Sequence, residues 1–239
     1  MSARKSAQLN RPSSSSNEIQ ALSIDNVIFG LDSSQLKVLL VRQRDPRHEG
    51  KWALPGGWIR YDEHLRSAAS RLLNELTGIS DLYLEQLKTF GRVDRFPGER
   101  VITVAYYALV SADSYQLVTQ EEDVNWHTIG DVSELVYDHN EILTEALTHL
   151  RREVRYRPIG LKLLPQKFTL LDLQNLYEAV LGVRLDKGNF RRKVLRSGLL
   201  LPCDEKQIGV AHRAATFYRL NQSAYDELVD HGFPVQSLV

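Results

Sequence analysis

The alternation of apolar and polar positions predicts a mixture of strands and helices over the first 156 residues. Residues 30–34 are rich in turn formers and separate two strand-like runs, which predicts a hairpin. A strand followed by a loop is predicted over Lys51–Trp58, and the next helix stops at Gly78. The other predicted strands and helices are Ser23–Phe29, Leu36–Arg42, Val101–Val110, Val124–Ile129, about His64–Leu76 and about Asn140–Tyr156, the last preceded by Asp138 as a helix cap.

Beyond Pro158 the apolar positions follow a helical period with frequent breaks. Thr169 and Asp172 have the spacing of a capping box, which predicts the start of a helix that ends at Gly182. The elements predicted after it are a helix over about Lys187–Ser197, strands over Leu199–Cys203 and Thr216–Leu220, and a helix over about Ser223–His231. Helix, turn, helix and a two-stranded wing predict a winged helix-turn-helix domain.

The composition is that of an ordinary globular protein. Hydrophobic residues make up 43% of the 239 residues and charged residues 25%, which argues against a disordered chain or a membrane protein. The single cysteine, Cys203, excludes an intramolecular disulfide and fits a reducing cytoplasm. We therefore expect a flexible tail over residues 1–20, a first domain over 21–155 that includes a connector helix, and a second domain over 156–239.

The net charge of zero hides an asymmetry between the two domains. Residues 1–150 hold 15 basic and 21 acidic residues, a net charge of −6. Residues 151–239 hold 15 and 9, a net charge of +6. A basic module joined to an acidic one favours an anionic partner for the C-terminal part.

The helix predicted from Lys187 is amphipathic. Phe190, Val194 and Leu195 gather on one side of a helical wheel and are expected in the core. Asparagine and arginine can pair with adenine and guanine in the major groove of DNA. The candidates for such base contacts, on the opposite side, are Asn189, Arg192, Lys193 and Arg196.

Other basic residues of this domain are weaker candidates. Lys187 and Arg191 fall nearer the apolar side of the helix, so three options stay open for them: phosphate contacts, a side chain that lies along apolar surface with its charged end in water, or neither. In the predicted wing, Lys206, His212 and Arg213 are candidates for contacts with the DNA backbone or minor groove. A basic helix that is merely a solvated surface stays open as the alternative.

The segment from Gly57 to Ile79 resembles the signature of the Nudix hydrolase family. Seven of its nine defined positions match, and the preceding Trp52–Gly56 stretch is also typical of that family. The matching residues are Gly57, Glu63, Arg71, Leu73, Glu75, Gly78 and Ile79. The resemblance implies a Nudix-like α/β/α sandwich with a mixed sheet, so the whole chain is expected to be of the α+β class.

The departures from the signature concern its metal ligands. In the family, glutamates at positions 72, 75 and 76 bind divalent cations that polarise a substrate diphosphate, whereas here Leu72 and Leu76 flank Glu75. We therefore assign no catalytic residue and no metal site. Arginine can attract a diphosphate without metal. The ligand-binding candidates are Arg95 and Arg100, in a segment resembling that of proteins that handle ADP-ribose, with Arg71 and Glu75.

An acidic Nudix-like domain joined to a basic winged helix resembles the NrtR family of Nudix-related transcriptional regulators, over nearly the whole chain after the tail. That resemblance implies a homodimeric repressor of NAD metabolism genes on a palindromic operator, with ADP-ribose as the effector that releases DNA and no further cofactor. Two alternatives stay open: an active Nudix hydrolase of ADP-ribose or a related nucleoside diphosphate, and a winged helix that serves as a protein-interaction module.

Overall fold

The computed structural model describes residues 21–32, 35–43, 48–111, 123–156, 161, 164–206 and 215–231. The tail predicted over residues 1–20 lies outside them. Within the ranges that the structure describes, the first part of the chain contains a seven-stranded sheet and two α-helices. Its strands are β1 (Ala21–Asp32), β2 (Gln35–Arg42), β3 (Trp52–Ala53), β4 (Gly56–Trp58), β5 (Glu85–Phe90), β6 (Val101–Ser111) and β7 (Val124–Thr128), and its helices are α1 (Leu65–Thr77) and α2 (His139–Tyr156).

The sheet is mixed, as predicted. The strands run in the order β3-β2-β1-β6-β5, with β4 paired to β1 and β7 paired to β2. The long β1 and β6 strands pair in parallel from Ala21↔Val101 to Leu31↔Ser111, and the other pairs are antiparallel. The pairing of β1 with β2 through Phe29↔Val38 is the predicted hairpin.

One helix covers each face of the sheet because successive strand residues point to opposite sides. On one face Leu39 packs with Leu72 and Leu73 of α1. On the other face Val38 and Leu40 join a core that contains the inward side of α2. Helix α1 ends where predicted, since Gly78 adopts φ 78°, a left-handed conformation that glycine accommodates without a Cβ clash.

The described residues of the C-terminal part form three α-helices and a small antiparallel sheet. Its elements are β8 (Phe168–Thr169), α3 (Leu170–Leu181), α4 (Lys187–Arg196), β9 (Leu200–Lys206), β10 (Thr216–Leu220) and α5 (Gln222–His231), with β10 between β8 and β9. The predicted capping box is present, because the Thr169 side chain accepts from the Asp172 backbone N–H and the Asp172 carboxylate accepts from the Thr169 N–H.

The two parts share one apolar core. Helix α3 packs against α2 and also against β2 of the large sheet, so Leu173, Tyr177 and Val180 are buried together with Leu150 and Val154 of α2. A polar contact crosses the same junction: Arg151 Nε on α2 donates to the Val180 carbonyl at 3.0 Å. The division predicted at residue 155/156 stays a prediction, and the packing joins both sides of it.

Within the predicted segment Lys51–Trp58, β4 occupies the part predicted as a loop, and two further strands of the described chain, β5 and β8, lie where the pattern predicted none. β5 is an edge strand with mostly exposed positions, so it lacks the apolar alternation on which the prediction depended. β8 has only two residues. A third difference concerns Leu195, expected in the core with Phe190 and Val194. Those two are buried, whereas Leu195 is 48% exposed, because only the side of α4 that faces α3 is covered.

Candidate functional site

A cavity of about 600 Å³ lies at one end of the large sheet. Its walls come from β1, β2, the turn between β3 and β4, helix α1, the segment between β5 and β6, and the start of α2. Four of the lining residues are carboxylates and two are arginines: Asp25, Glu75, Glu99, Asp123, Arg42 and Arg95. The lining is thus more acidic than basic.

A buried charge cluster, formed by Asp25, Arg95, Asp138 and His139, lies at the inner side of this cavity. Arg95 donates to Asp138 through Nε and a terminal nitrogen, each at 2.8 Å, in a bidentate pair. The same terminal nitrogen lies 3.3 Å from Asp25 Oδ2. The Arg95 side chain is only 3% exposed and that of Asp138 only 1%, so this pair is shielded from solvent. Three distant segments of the chain are joined by these contacts.

His139 completes the cluster as a neutral group. Its Nδ1 accepts a hydrogen bond from the Leu54 backbone N–H at 3.0 Å, which leaves the proton on Nε2, 3.4 Å from Asp25 Oδ1. Burial lowers the pKa of His139, although Asp25 and Asp138 oppose that effect. With a neutral histidine, two carboxylates and one guanidinium, the cluster has a net negative charge.

Aromatic rings form another wall of the cavity. Phe96 packs on Tyr137 with ring centroids 4.7 Å apart, and Trp58 meets Phe96 edge-on at 5.9 Å. Tyr137 adopts φ 53°, a left-handed conformation that costs a non-glycine residue about 1–2 kcal/mol. The cost falls on the residue directly before Asp138, where the cavity meets the start of α2. A flat ring system is the kind of ligand that such a wall accommodates.

Glu75 reaches the cavity rim already paired with arginines. It accepts from Arg71 at 3.0 Å and from Arg60 at 3.2 Å. Arg71 also binds both oxygens of Glu63 and donates to the Trp58 carbonyl. These hydrogen bonds from Arg71 lower the pKa of Glu63 to about 2. The two remaining acidic residues of the signature are therefore held by guanidinium groups.

The two leucines of the signature differ in their surroundings. Leu72 is 7% exposed and lies over Gly57, where an added Cβ would come within 2.8 Å of its Cδ2. Leu76 is half-buried and lines the cavity beside Glu75. Among the described residues, no group of three or more His, Cys, Asp or Glu side chains is arranged to hold a metal ion.

The second candidate site is the outward side of α4. The Asp186 side chain caps this helix by accepting from the Asn189 N–H at 2.7 Å, and Phe190 and Val194 anchor it in the core. On the outward side, Arg192 donates to Asn189 Oδ1 at 2.8 Å. None of the five basic side chains of α4 forms an ion pair with another described residue: Lys187, Arg191, Arg192, Lys193 and Arg196. This helix presents uncompensated positive charge.

Comparison with known proteins identifies the family. Residues 160–220 match the model of the NrtR DNA-binding winged helix domain, and residues 23–149 match that of the NUDIX domain. The ADPR responsive transcriptional repressor NtrR of Acinetobacter baylyi is 36% identical over 210 residues, which cover 86% of this chain and 84% of that protein. The chain belongs to the NrtR family.

Solved structures from the NrtR family share the architecture. The crystal structure of Shewanella oneidensis NrtR complexed with a 27mer DNA has a TM-score of 0.78 at 31% identity, over 91% of this chain and 99% of that one. The NUDIX domain of the same protein complexed with ADP ribose has a TM-score of 0.51 at 36% identity, over 56% of this chain and 90% of that one. The predicted α+β class, Nudix-like sandwich and winged helix domain are confirmed.

The four predicted ligand-binding residues occupy different places in this NrtR fold. Arg95 and Glu75 line the cavity, whereas Arg71 lies behind Glu75 and is not part of the lining. Arg100 donates to the Gly91 and Arg92 carbonyls and so holds the segment between β5 and β6. We expected arginines available to a diphosphate, but Arg95 is already bound by two carboxylates. Direct ligand contact by these four residues stays a prediction.

The predicted DNA-binding residues lie closer together than the four predicted ligand-binding residues do. Asn189, Arg192 and Arg196 are exposed together on α4, while Arg191 and Lys193 are half-buried at its flanks. Lys187 is exposed at the first turn. The predicted wing residues His212 and Arg213 lie outside the described residues, and so does the side chain of Lys206.

Sequence reasoning missed most of the cavity. Asp25 and Arg95 are 70 residues apart and Arg95 and Asp138 are 43 apart, so no local motif connects them. The available signal was Asp25 itself, a charged residue in the middle of a predicted strand. Asp138 was interpreted only as a helix cap. Within the described ranges, no helix has both the length and the apolar character needed to cross a membrane.

Proposed function

We propose that this chain is a DNA-binding transcriptional repressor whose Nudix domain senses ADP-ribose and whose winged helix domain binds an operator. The observation that carries the proposal is the basic outward face of α4, unpaired among the described residues, in a chain whose fold extends over 99% of a DNA-bound NrtR. Because phosphates attract unpaired cations, such a helix is suited to duplex DNA.

The cavity supports ADP-ribose as the effector. Its aromatic wall of Trp58, Phe96 and Tyr137 suits a flat base. Its surplus of carboxylates suits ribose hydroxyls, which donate hydrogen bonds, better than it suits a bare phosphate. A volume of about 600 Å³ is within the usual range for small-molecule sites. No further cofactor is part of the proposal.

We further propose that the Nudix domain is a receptor rather than a catalyst. Magnesium at a phosphate site relies on carboxylates, and two of the three glutamate positions carry Leu72 and Leu76. Arg60 and Arg71 compete with any cation for the remaining Glu75. Leu72 is also part of the apolar core, so the position serves packing instead of ligation.

Helix α2 gives a route from the cavity to the operator. Its first residue, His139, belongs to the buried charge cluster, and its Arg151 binds the Val180 carbonyl of α3. A five-residue turn connects α3 to α4. It begins at Gly182, whose φ is 69°. A ligand that moves the start of α2 would therefore reorient α4. By linkage, operator DNA weakens ADP-ribose binding by the same factor that ADP-ribose weakens operator binding.

The remaining parts of the proposal are a homodimer, a palindromic operator, target genes of NAD metabolism and action in the cytoplasm. A two-fold dimer would present two copies of α4 about 34 Å apart, or a multiple of that distance, to successive turns of DNA. Small rotations of α4 would then disturb this spacing.

The test is fluorescence anisotropy with DNA from upstream of the protein's own gene, titrated with ADP-ribose and repeated at several salt concentrations. We expect salt-dependent binding that ADP-ribose reverses. Absent or salt-insensitive binding would favour the winged helix as a protein-interaction module. Incubation with Mg²⁺ and ADP-ribose tests the receptor assignment: turnover abolished by Glu75→Gln would make the protein an active hydrolase.

A further inference from the structure

Two uncharged residues interrupt the basic outward side of α4. Gly188 lies in its first turn and Leu195 in its last. They are seven residues apart, which is close to two full turns, so both lie on the same edge of the helix, about 10 Å apart along its axis. Asn189, Arg192 and Arg196 form the polar part of the outward side next to this edge.

Gly188 is not required by the fold. Its backbone is helical, and Gly188 is not among the glycines of positive φ. Outside the helix's own backbone, a Cβ added there would meet one atom of the part of the chain that the structure describes, Asp186 Oδ1 at 3.6 Å, which is an ordinary contact. Glycine costs a helix about 0.5–1 kcal/mol relative to alanine. A glycine that the free protein could replace at no steric cost suggests the close approach of something that the free protein lacks.

Leu195 is the apolar residue of the same edge. Its side chain is 48% exposed, and on a helical wheel it lies between Arg191 and Arg192. A leucine directed at the phosphate backbone would gain nothing, because that surface is polar and charged. The major groove offers one apolar group, the 5-methyl of thymine, which distinguishes T·A from the other base pairs.

We propose that Gly188 and Leu195 form a methyl-reading edge of α4: Gly188 allows the first turn to approach the floor of the major groove, and Leu195 contacts a thymine 5-methyl group. This inference rests on the proposed function, since it assumes that α4 enters the groove. It deepens that function by assigning specificity to two uncharged residues beside Asn189, Arg192 and Arg196.

The first experiment uses Gly188→Ala in the full-length chain. The preferred duplex is first selected from a random library by the wild-type protein. We expect the melting temperature of the variant to rise by about 1–3 °C, because alanine favours helix. We expect its affinity for the selected duplex to fall about tenfold or more, because the added methyl displaces neighbouring base contacts. A merely structural glycine would not lower affinity while raising stability.

The control for an added methyl is Gly130→Ala, at an exposed glycine of the Nudix domain with no atom within 4 Å of the added Cβ. It should leave affinity unchanged. If Gly188→Ala binds the selected duplex with wild-type affinity, the inference that Gly188 approaches the groove floor closely is wrong.

The second experiment removes the methyl from the DNA. Each thymine of the selected duplex is replaced in turn by uracil, which lacks only the 5-methyl group. We expect wild-type protein to lose about fourfold in affinity at one position of each half-site, the value for burying one such group. Leu195→Ala should bind thymine and uracil duplexes equally at that position. Leu171→Ala, which alters a leucine of α3 that is 47% exposed, should keep the wild-type response.

The outcomes separate the inference from the function on which it rests. In one outcome, wild-type protein selects a sequence, but every uracil substitution changes its affinity by the same factor as that of Leu195→Ala. The methyl contact is then wrong, and the repressor assignment stands. If the wild-type protein selects no sequence at all, the proposed function fails, and the inference fails with it.

Discussion

Arginine has two opposite settings in this molecule. Arg95 lies in the buried charge cluster with a side chain 3% exposed, bound by Asp138 on one side and Asp25 on the other. Arg192 and Arg196 project from α4 into solvent, and neither forms an ion pair with a described residue. The first arginine is part of what holds three chain segments together. The other two are available to a partner.

The contrast shows that a charged residue in a candidate site is not by itself evidence of ligand contact. A buried guanidinium without its carboxylates would be strongly unfavourable, so Arg95 is bound to the fold before any ligand arrives. An exposed one contributes little to stability and can exchange water for phosphate or a base edge. Substitutions in the two regions should therefore affect different measurements.

The largest effect is expected from Asp138→Ala. Removing the bidentate partner leaves the buried Arg95 with only the 3.3 Å contact to Asp25. We expect the free energy of unfolding, measured by urea denaturation, to fall by about 3–5 kcal/mol. The matched control is Asp94→Ala, which removes one of the two carboxylate partners of the exposed Arg92, the other being Glu141, and should cost less than about 1 kcal/mol. Equal losses in both variants would contradict the contrast.

The next effect concerns binding instead of folding. Arg192→Ala and Arg196→Ala should each weaken operator binding by about 1–3 kcal/mol and leave ADP-ribose affinity unchanged. Their unfolding free energies should stay within about 0.5 kcal/mol of the wild type. Arg184→Ala is the control, since Arg184 is 94% exposed in the same domain but paired with Glu178. Unchanged operator affinity in both α4 variants would remove them from the interface.

A smaller effect is expected at the cavity from the double variant Leu72→Glu, Leu76→Glu. Two new carboxylates should weaken ADP-ribose binding in EDTA by ~1 kcal/mol, through like-charge repulsion with the diphosphate. Magnesium should restore part of that loss, as measured by isothermal titration calorimetry. Leu65→Glu, on the same helix at a position 39% exposed and outside the cavity lining, is the control. A double variant insensitive to magnesium would show that these positions cannot hold a cation.

The smallest effect is a pH dependence of stability. The pKa of His139 is lower in the folded protein than its ordinary value of 6.5. The unfolded chain therefore binds the extra proton first, and the unfolding free energy should fall as the pH drops below about 6.5. His139→Gln should flatten this slope, with a remainder from His127, whose pKa burial also lowers. A slope that is as steep in His139→Gln as in the wild type would assign it to other groups.

Local signals in the sequence predicted the fold well. These signals each act within a few residues, so they can be recognised in the sequence alone. They are the capping box at Thr169, the glycines at 78 and 182 and the signature of α1. The buried charge cluster could not be predicted, because its members meet only after β1, the segment after β5 and the start of α2 have packed together. Leu195 was misplaced for a different reason: on a helical wheel it lies about 100° from Val194 and about 140° from Phe190, at the margin of the apolar side, and only the side of α4 that faces α3 is covered.

The apolar core that the two parts share has a consequence for how such regulators are divided. The matched winged helix segment begins at residue 160, yet α3 buries Leu173, Tyr177 and Val180 against α2 and β2, which both precede that residue. A fragment cut there would expose this surface to water. Any transplant of this sensor or this DNA-binding module therefore has to bring a compatible partner surface with it.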